Sequence, residues 1–205
     1  MSKFLRRYLL GLCGVGSLVL FTFLRFPHVV VGLDNAVLHF FVWTHTFLSL
    51  LFFGFFTKLG SWYGVLCVLG ILGLCVRGKP YVSRFFSSLL LLLLGGITSS
   101  YVFKELFARA RPDSMPALFV ENSYSFPSAH ATIAVILYGF LWYFFSRVTT
   151  VTRLQMFALM GTAFLISFSR IYLGVHYVSD VVGGILLGAT CLGCYFIVVD
   201  KRQSS

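Results

Sequence analysis

Long apolar segments constrain the fold of this chain more than any other feature. A helix that crosses a bilayer needs about 20 apolar residues, and six such segments can be read, at about 8–26, 58–76, 84–107, 129–146, 154–171 and 180–199. The hydrophobic fraction of 59% and the charged fraction of 11% differ from those of a soluble domain. The sequence therefore predicts an all-α, polytopic membrane protein with a bundle of six transmembrane helices. The spans use most of the chain, so residues 1–205 are expected to form a single domain.

The segment between the first two spans predicts an additional helix in the outer membrane interface. Asp34 and Asn35 are typical of a helix N-cap, and the stretch 36–56 that follows is rich in aromatic residues. Trp43 and the phenylalanines of this stretch would anchor the helix at the headgroup level. His39 and His45 are six residues apart, which does not place them on the same helix face. We interpret both as interface residues rather than metal ligands.

The basic residues predict the orientation of the chain. With the N-terminus in the cytoplasm, ten basic residues lie at cytoplasmic ends, namely Lys3, Arg6, Arg7, Arg77, Lys79, Arg84, Arg147, Arg153, Lys201 and Arg202. Six lie at outer ends, namely Arg25, Lys58, Lys104, Arg109, Arg111 and Arg170. This bias follows the positive-inside rule, so the net charge of +10 reflects topology and does not predict a nucleic-acid partner. The first span follows basic residues as a secretory signal does, but its length and the lack of a cleavage site favour an uncleaved helix.

Three polar segments emerge together on the outer side, and the first follows the third span. Lys104 and Arg111 are seven residues apart, or two helical turns, which would place them on nearly the same side of a helix. An ammonium point charge and a guanidinium fork suit a phosphate group. The alternative is that both residues only anchor the helix at the interface. The polar stretch 112–127 is predicted to be an outer loop, placed to cover such a site.

The second segment opens the fourth span with Ser128 and His130. Free backbone N–H groups and the positive end of the helix dipole make a helix N-terminus an anion site. Ser128 adds a hydroxyl donor, and His130 adds a titratable group at the same place. The alternative is a plain N-cap serine beside a polar interface histidine.

The third segment contains Arg170, His176 and Asp180. His176 and Asp180 are four residues apart, which is one helical turn. An aspartate at that spacing can accept the Nδ1–H of the imidazole and leave Nε2 free to attack, as the orienting group of a catalytic triad does. In the last span, Gly184 and Gly188 form a G-x-x-x-G pattern that predicts a close internal helix contact. The five cysteines fall in apolar spans and are interpreted as residues that pack between helices.

Together these segments resemble the type 2 phosphatidic acid phosphatase superfamily. The family pattern is Lys, six residues, Arg-Pro; then Pro-Ser-Gly-His; then Ser-Arg, five residues, His, three residues, Asp. This chain has the matching series Lys104 to Arg111-Pro112, Pro127-Ser128-Ala129-His130, and Ser169-Arg170 to His176 to Asp180. Ala129 replaces the family's glycine. Alanine retains the backbone N–H but does not readily adopt positive φ.

The resemblance implies a site and a reaction. His176 would attack phosphorus and form a phosphohistidine, Asp180 would hold its tautomer, and His130 would protonate the leaving oxygen and then activate water. The non-bridging oxygens would be bound by Lys104, Arg111, Ser128, the backbone N–H of Ala129, and Arg170. No metal and no cofactor are expected. The implied substrate is a lipid phosphate of the bilayer, either undecaprenyl diphosphate or phosphatidylglycerophosphate and phosphatidic acid.

The expected location is a bacterial cytoplasmic membrane with the site on its extracytoplasmic face, and the oligomeric state stays open. Two alternatives differ in function class. A phosphotransferase would pass the phosphoryl group to a lipid or sugar acceptor instead of water. A non-enzymatic anion-binding or transport protein would share the cationic pocket, but transporters place their substrate near the midplane of the bilayer, whereas these polar residues cluster at one end.

Overall fold

The structure, a computed structural model, describes residues 3–113, 121–148, 150 and 152–204. Within these ranges it contains eight helices and no strand. They are α1 (Lys3–Arg25), α2 (Pro27–Trp43), α3 (Phe47–Leu59), α4 (Trp62–Val76), α5 (Val82–Phe107), α6 (Ala129–Val148), α7 (Arg153–Tyr172) and α8 (Val178–Ser204). The middle of the predicted covering loop, residues 114–120, lies outside the described residues.

Five of the helices are long and apolar enough to cross a membrane: α1, α5, α6, α7 and α8. The pair α3 and α4 supplies a sixth span if it is counted as one bent segment. The prediction of an all-α, polytopic membrane protein is therefore confirmed, and α2 is the additional helix that follows the first span.

The predicted second span, 58–76, is not one straight helix. α3 ends at Leu59 and α4 begins at Trp62, and the two helices meet at an angle of 64°. Gly60 ends α3, while the hydroxyl of Ser61 accepts a hydrogen bond from the backbone N–H of Gly64 at 3.4 Å and caps α4. Residues 57–61 at this break include Thr57, Lys58 and Ser61, but so short a polar stretch does not register in a hydropathy window of transmembrane length.

The predicted interfacial helix over 36–56 is also divided. α2 ends at Trp43, and Thr46 starts α3 with a capping box in which Thr46 and Ser49 satisfy each other's backbone N–H groups. Asp34 is not a helix N-cap, because α2 already begins at Pro27, a residue whose ring suits the first helical position. Asp34 lies inside α2 and is 2% exposed.

The core of the bundle lies around α6, which packs against α5, α7 and α8. Its buried apolar face carries Ile136, Leu137 and Phe140, and these meet Phe85 and Leu89 of α5. A buried apolar stripe of this kind holds the helix ends in a fixed arrangement, on which a site built from several helices depends.

Gly184 and Gly188 bring α8 into close contact with α6, as the G-x-x-x-G pattern predicts. A side-chain carbon on Gly184 would lie 2.4 Å from the carbonyl oxygen of Ser128, and one on Gly188 would lie 2.8 Å from that of Thr132. The hydroxyl of Thr132 also donates to the carbonyl of Gly184 at 3.1 Å. The contact holds the beginning of α6, and therefore Ser128, directly against α8.

The predicted packing role of the cysteines is wrong for four of the five. Cys13, Cys67, Cys75 and Cys194 are exposed on the bundle, and Cys191 is half-buried. Small apolar side chains are tolerated on a lipid-facing surface as readily as between helices, so their position in a span did not define their environment.

Candidate active site

Polar side chains from three helices and two connecting segments converge at one end of the bundle. Lys104 lies in the last turn of α5, is 6% exposed, and donates from Nζ to the carbonyl oxygen of Tyr124. Other buried polar residues of this cluster are Ser125, Ser128, Arg170, His176 and Asp180. Charged groups buried at a helix-bundle end are costly unless they are paired or functional.

Arg111 reaches the cluster from a loop and not from the face of α5. The helix ends at Phe107, and Ala108 adopts the left-handed conformation with a φ of 43°, so the predicted stacking of Lys104 and Arg111 two turns apart is wrong. Nη1 of Arg111 donates to the carbonyl of Val175 at 2.9 Å and lies 3.2 Å from Nε2 of His176. The two cations therefore share one site through the turn that follows α5.

Arg170, at the end of α7, is buried with its guanidinium between two elements. Nη1 donates to the hydroxyl of Thr57 at 2.6 Å, and Nη2 donates to the carboxylate of Glu121. Its Nε has no hydrogen-bond partner among the described residues. Thr57 belongs to the end of α3, so the bent pair α3–α4 helps to position Arg170, which is predicted to bind phosphate.

Glu121 bridges the two arginines of the cluster. One carboxylate oxygen accepts from Arg170 and the other accepts from Nη2 of Arg111 at 2.8 Å. Burial alone would raise the pKa of Glu121, but the positive charges of Arg170 and Arg111 outweigh burial and lower it. An anion thus already lies between the guanidinium groups. Nothing in the sequence pointed to Glu121, because an acidic residue in a polar loop is ordinary.

The N-terminus of α6 contributes Ser128, Ala129 and His130. Ser128 is fully buried, its N–H donates to the carbonyl of Asp180 at 3.0 Å, and its hydroxyl has no partner in the described part of the chain. Ala129 is the first residue of α6, and its φ is not positive. The geometry at this position does not require glycine. The N–H groups of Ala129 and His130 lie in the first turn, where no preceding helical carbonyl accepts them.

His130 lies beside the break between α3 and α4. A side-chain carbon on Gly60 would approach Cδ2 of His130 to 3.1 Å and Cγ2 of Ile166 to 2.6 Å. His130 also interacts electrostatically with His176 and Arg170. Because Gly60 has no side chain, the imidazole of His130 fits here, at the same end of the bundle as the arginines.

His176 follows the turn after α7, in which Gly174 has a positive φ of 65° that glycine adopts at little cost. Nδ1 of the imidazole lies 3.4 Å from Oδ2 of Asp180 and 3.3 Å from the hydroxyl of Ser125. The Ser125 hydroxyl donates to the same Asp180 oxygen at 2.5 Å. The Nε2 edge therefore faces the guanidinium of Arg111, on the side away from Asp180.

Burial lowers the pKa of His176 well below its ordinary value, and the nearby charges of Arg170, Arg111 and Lys104 lower it further. The imidazole is neutral at pH 7 and has a lone pair available on one ring nitrogen. Ser125 was missed by the sequence reasoning, because nothing in a polar loop distinguishes the serine that contacts the Asp180 carboxylate from its neighbours.

Arg109 and Asp34 are two further residues that the sequence did not predict for the site. Arg109 donates from Nη1 to Oδ1 of Asp180 at 2.6 Å and from Nη2 to Oδ2 of Asp34 at 2.8 Å. Asp34 in turn accepts from the backbone N–H of Ser179 at 2.9 Å. One signal was available: Asp34 is the single charged residue of the apolar helix α2, and such residues in membrane segments are functional candidates.

A cavity of about 440 Å³ opens beside this cluster. It is lined by Glu105, Arg109, Ala110, Arg111, Glu121, Asn122, Ser123 and Tyr124.

In the described part of the chain, no group of three or more His, Cys, Asp or Glu side chains is arranged to hold a metal ion. His45 lies outside the cluster, with Nε2 2.7 Å from the carbonyl oxygen of Tyr172. The cluster suits a tetrahedral oxyanion, because its groups are mainly hydrogen-bond donors with positive charge.

The fold and this cluster define an integral membrane protein with a cationic, histidine-containing site at one end of a helical bundle. The chain belongs to the PAP2 superfamily, whose family model matches residues 84–204. That range contains all three motifs, and the predicted family resemblance is confirmed. Asp34 and Thr57 lie outside it.

Individual relatives agree with this assignment. The chain is 36% identical over 138 residues to phosphatidylglycerophosphatase B of Bacillus subtilis, which covers 64% of this chain and 66% of that protein. It is 30% identical to lipid A 4'-phosphatase of Porphyromonas gingivalis over 149 aligned residues. The alignment covers 66% of this chain and 61% of that protein. The matches thus extend over less than two thirds of either relative.

Two solved structures resemble the fold. A transmembrane PAP2-type phosphatidylglycerolphosphate phosphatase from Bacillus subtilis gives a TM-score of 0.76 at 26% identity, covering 94% of this chain and 96% of that one. LpxE of Aquifex aeolicus gives a TM-score of 0.59 at 26% identity, covering 80% of this chain and 93% of that one. The likeness extends beyond the motifs to the arrangement of the helices.

Proposed function

We propose that this protein is a lipid phosphate phosphatase that removes a terminal phosphate through a phosphohistidine intermediate. The observation that carries the proposal is that two of the three buried side-chain polar atoms without a partner among the described residues, the Ser128 hydroxyl and Nε of Arg170, belong to this cluster. Leaving a buried donor unpaired costs about 1–3 kcal/mol. Both donors belong to the residue set that the family motifs assign to phosphate, and a bound phosphoryl group would satisfy both.

In the first step, Nε2 of His176 attacks the terminal phosphorus while the bond from phosphorus to the leaving oxygen breaks. His130 donates a proton to that oxygen as the lipid alcohol or phosphate departs. Asp180 and Ser125 hold the opposite edge of the His176 ring, at 3.4 and 3.3 Å from Nδ1. In the second step His130 takes a proton from water, the oxygen attacks phosphorus, and the N–P bond breaks to release inorganic phosphate.

The cations of the cluster stabilise the charge that spreads over the equatorial oxygens during transfer. Lys104, Arg111 and Arg170 supply three positive charges, and the Ser128 hydroxyl and the first N–H groups of α6 supply neutral donors. The carboxylate of Glu121 is bound to both arginines, so it competes with phosphate for their guanidinium groups. With this many fixed donors, the reaction is proposed to need no metal ion.

The proposed substrate is a membrane lipid with an exposed phosphate. The site lies at helix ends, where a lipid headgroup would be level with it, and named relatives act on phosphatidylglycerophosphate and lipid A. Undecaprenyl diphosphate, phosphatidylglycerophosphate and phosphatidic acid are the candidates. The distribution of basic residues supports an extracytoplasmic site in a bacterial cytoplasmic membrane. Transport is not favoured, because the polar cluster lies at one end of the bundle and not at its midplane.

The decisive experiment is phosphate release by purified protein in detergent from these three lipids. The His176→Ala protein serves as the blank, and EDTA is added in a parallel series. We expect release from at least one lipid by the wild-type protein alone, unchanged by EDTA. Equal release by His176→Ala would remove the nucleophile assignment, and loss with EDTA that Mg²⁺ restores would contradict metal independence. Phosphorylated acceptor in place of free phosphate would identify a phosphotransferase.

A further inference from the structure

A chain of buried charges connects α2 to the proposed catalytic carboxylate. Asp34 and Asp180 are 2% and 0% exposed, and Arg109 bridges them with one arm to each carboxylate, at 2.8 and 2.6 Å. The arrangement is closed, because the N–H and hydroxyl of Ser179, the residue before Asp180, both donate to Asp34. The guanidinium of Arg109 also lies over the ring of Tyr177, 4.3 Å from its centroid, which fixes its plane.

We propose that Arg109 and Asp34 are positioning residues that hold the Asp180 carboxylate, and through it the His176 imidazole, in the orientation needed for attack on phosphorus. The inference rests on the proposed phosphohistidine chemistry. It makes α2, which lies outside the range that matches the family model, part of the catalytic apparatus.

The two oxygens of Asp180 have different partners. Oδ2 accepts from the Ser125 hydroxyl and from the N–H of Tyr177 at 2.9 Å, and it is the oxygen nearest to His176. Oδ1 accepts from Arg109. Without the guanidinium, Oδ1 would be a buried, uncompensated charge, and the carboxylate beside His176 would no longer be held in a single orientation.

Asp34 has the complementary task of orienting Arg109. Burial alone would lower the pKa of Arg109, but the Asp34 and Asp180 carboxylates outweigh it and raise the pKa, so the guanidinium stays charged. Arg109 follows the end of α5 in a non-helical segment, where no helix restricts its side chain. The fork to two carboxylates supplies that restriction, since a guanidinium can satisfy both at once in a fixed geometry.

The charges of Asp34, Arg109 and Asp180 alternate in sign. The pH dependence of activity should therefore show a signature that a purely structural role would lack. Removing the Arg109 charge leaves Asp180 less compensated, so protonation of His176 becomes easier. Removing the Asp34 charge leaves Arg109 less compensated, so protonation becomes harder. The other titratable groups that face His176 from neighbouring elements are Lys104, Arg111, Glu121, His130 and Arg170, and both substitutions leave them unchanged.

The test compares Arg109→Gln and Asp34→Asn with wild-type protein in phosphate release from one lipid phosphate, measured as kcat and KM across pH. We expect kcat to fall at least tenfold in both, with KM changed less than twofold. The midpoint of the acid limb of the kcat–pH profile should move to higher pH in Arg109→Gln and to lower pH in Asp34→Asn, by roughly half a pH unit or more. Arg109→Lys keeps the charge, so the midpoint of its acid limb should not move, although kcat should fall.

Arg25→Gln, an exposed arginine elsewhere on the chain, controls for the change in net charge and should behave as wild type. Shifts in the same direction, or unchanged kcat in Asp34→Asn and Arg109→Lys, would overturn the positioning role. So would a higher KM at normal kcat in Arg109→Gln, which would indicate direct substrate binding. The His176→Ala protein separates this outcome from failure of the proposed function: if it is active, the phosphohistidine chemistry itself is wrong.

Discussion

Arg170 illustrates why arginine is suited to the buried end of this site. Its Nη1 donates to Thr57, its Nη2 donates to Glu121, and its Nε has no partner among the described residues. A lysine ammonium on the same helix position could reach one of these partners at a time, because it is a point charge on a flexible stem. The identity of the side chain, beyond its charge, therefore determines what the site can bind.

Arg170→Lys should lower kcat/KM for phosphate release by roughly 10- to 100-fold, the loss expected for one or two hydrogen bonds to a charged group. Arg147→Lys, at the opposite end of α6, is a matched control and should be unaffected. If Arg170→Lys retains wild-type kcat/KM, then Arg170 does not bind the phosphoryl group directly.

The lowered pKa of His176 predicts the acid side of the pH profile. The neutral imidazole is the proposed nucleophile, and its folded-state pKa lies below the ordinary value of about 6.5. The active form therefore persists through neutral pH, and kcat/KM should fall only as pH drops below the usual histidine range. Measuring this profile with two substrates whose phosphate pKa values differ separates titration of His176 from ionisation of the substrate. A midpoint at or above about 6.5 that both substrates share would contradict the prediction.

The sequence identified the residues that belong to motifs but not those that support them. The placement of Ser128, Arg170 and His176 at one end of the bundle follows from spacing and helix ends, because a helix terminus points its residues in a known direction. Ser125 and Glu121 lie in irregular backbone, where no periodicity relates position to direction. Asp34 is distant in sequence from every motif, and only packing of α2 against α8 brings it to Asp180.

At the scale of elements, the segment that precedes α6 supplies its own anion to the cluster. Glu121 binds both Arg111 and Arg170 and is partly exposed, with 29% of its side chain accessible. A carboxylate and a phosphate compete for the same guanidinium groups. This segment therefore influences how tightly an oxyanion binds, in addition to closing one side of the cavity.

Glu121→Gln should bind orthovanadate more tightly, on the order of tenfold, because a neutral amide competes less well for the two arginines. Inhibition of phosphate release by vanadate measures the effect. Glu105→Gln changes the same charge on the rim of the same cavity and serves as the control. Weaker vanadate binding by Glu121→Gln would show that the carboxylate supports the oxyanion site instead of competing with it.

The contact between α6 and α8 is a second element-scale determinant. A methyl group on Gly184 would meet the carbonyl of Ser128, which is backbone and cannot move aside without shifting α6. Gly184→Ala should lower the free energy of unfolding by about 1–3 kcal/mol and reduce kcat/KM. Gly70→Ala, where a methyl group meets no atom within 4 Å, should lower neither thermal stability nor activity. A Gly184→Ala protein that matches wild type in both would contradict this packing.

Element ends were less predictable than element identity. The apolar segments located the spanning helices, since a bilayer demands that length of apolar residues. The breaks at Thr44–Thr46 and Gly60–Ser61 depend on hydroxyl caps and a glycine, to which hydropathy is insensitive. α5 ends at Phe107, four residues before Arg111. Arg111 therefore reaches the site from a loop and not from the face of the helix.

At the scale of the whole molecule, the site exists because the bundle joins segments that are far apart in sequence. Asp34, Thr57, Lys104, Ser128, Arg170 and His176 meet at one end, through contacts that span up to 145 residues. The apolar core around α6 fixes these ends. The buried cations have polar partners there, since Lys104 donates to the carbonyl of Tyr124 while Arg111 and Arg170 share Glu121. The central claim is that this cluster acts as one phosphoryl-transfer site with His176 as nucleophile.

The most direct test is to trap the covalent intermediate. A phosphate ester with a good leaving group needs no proton from His130 in the first step, so the His130→Ala protein should form the phosphoenzyme and then hydrolyse it slowly. After quenching in alkali and proteolysis, mass spectrometry should place the phosphoryl group on His176, in an acid-labile linkage. Phosphate release without any phosphohistidine, or a phosphoryl group on another residue, would contradict the account.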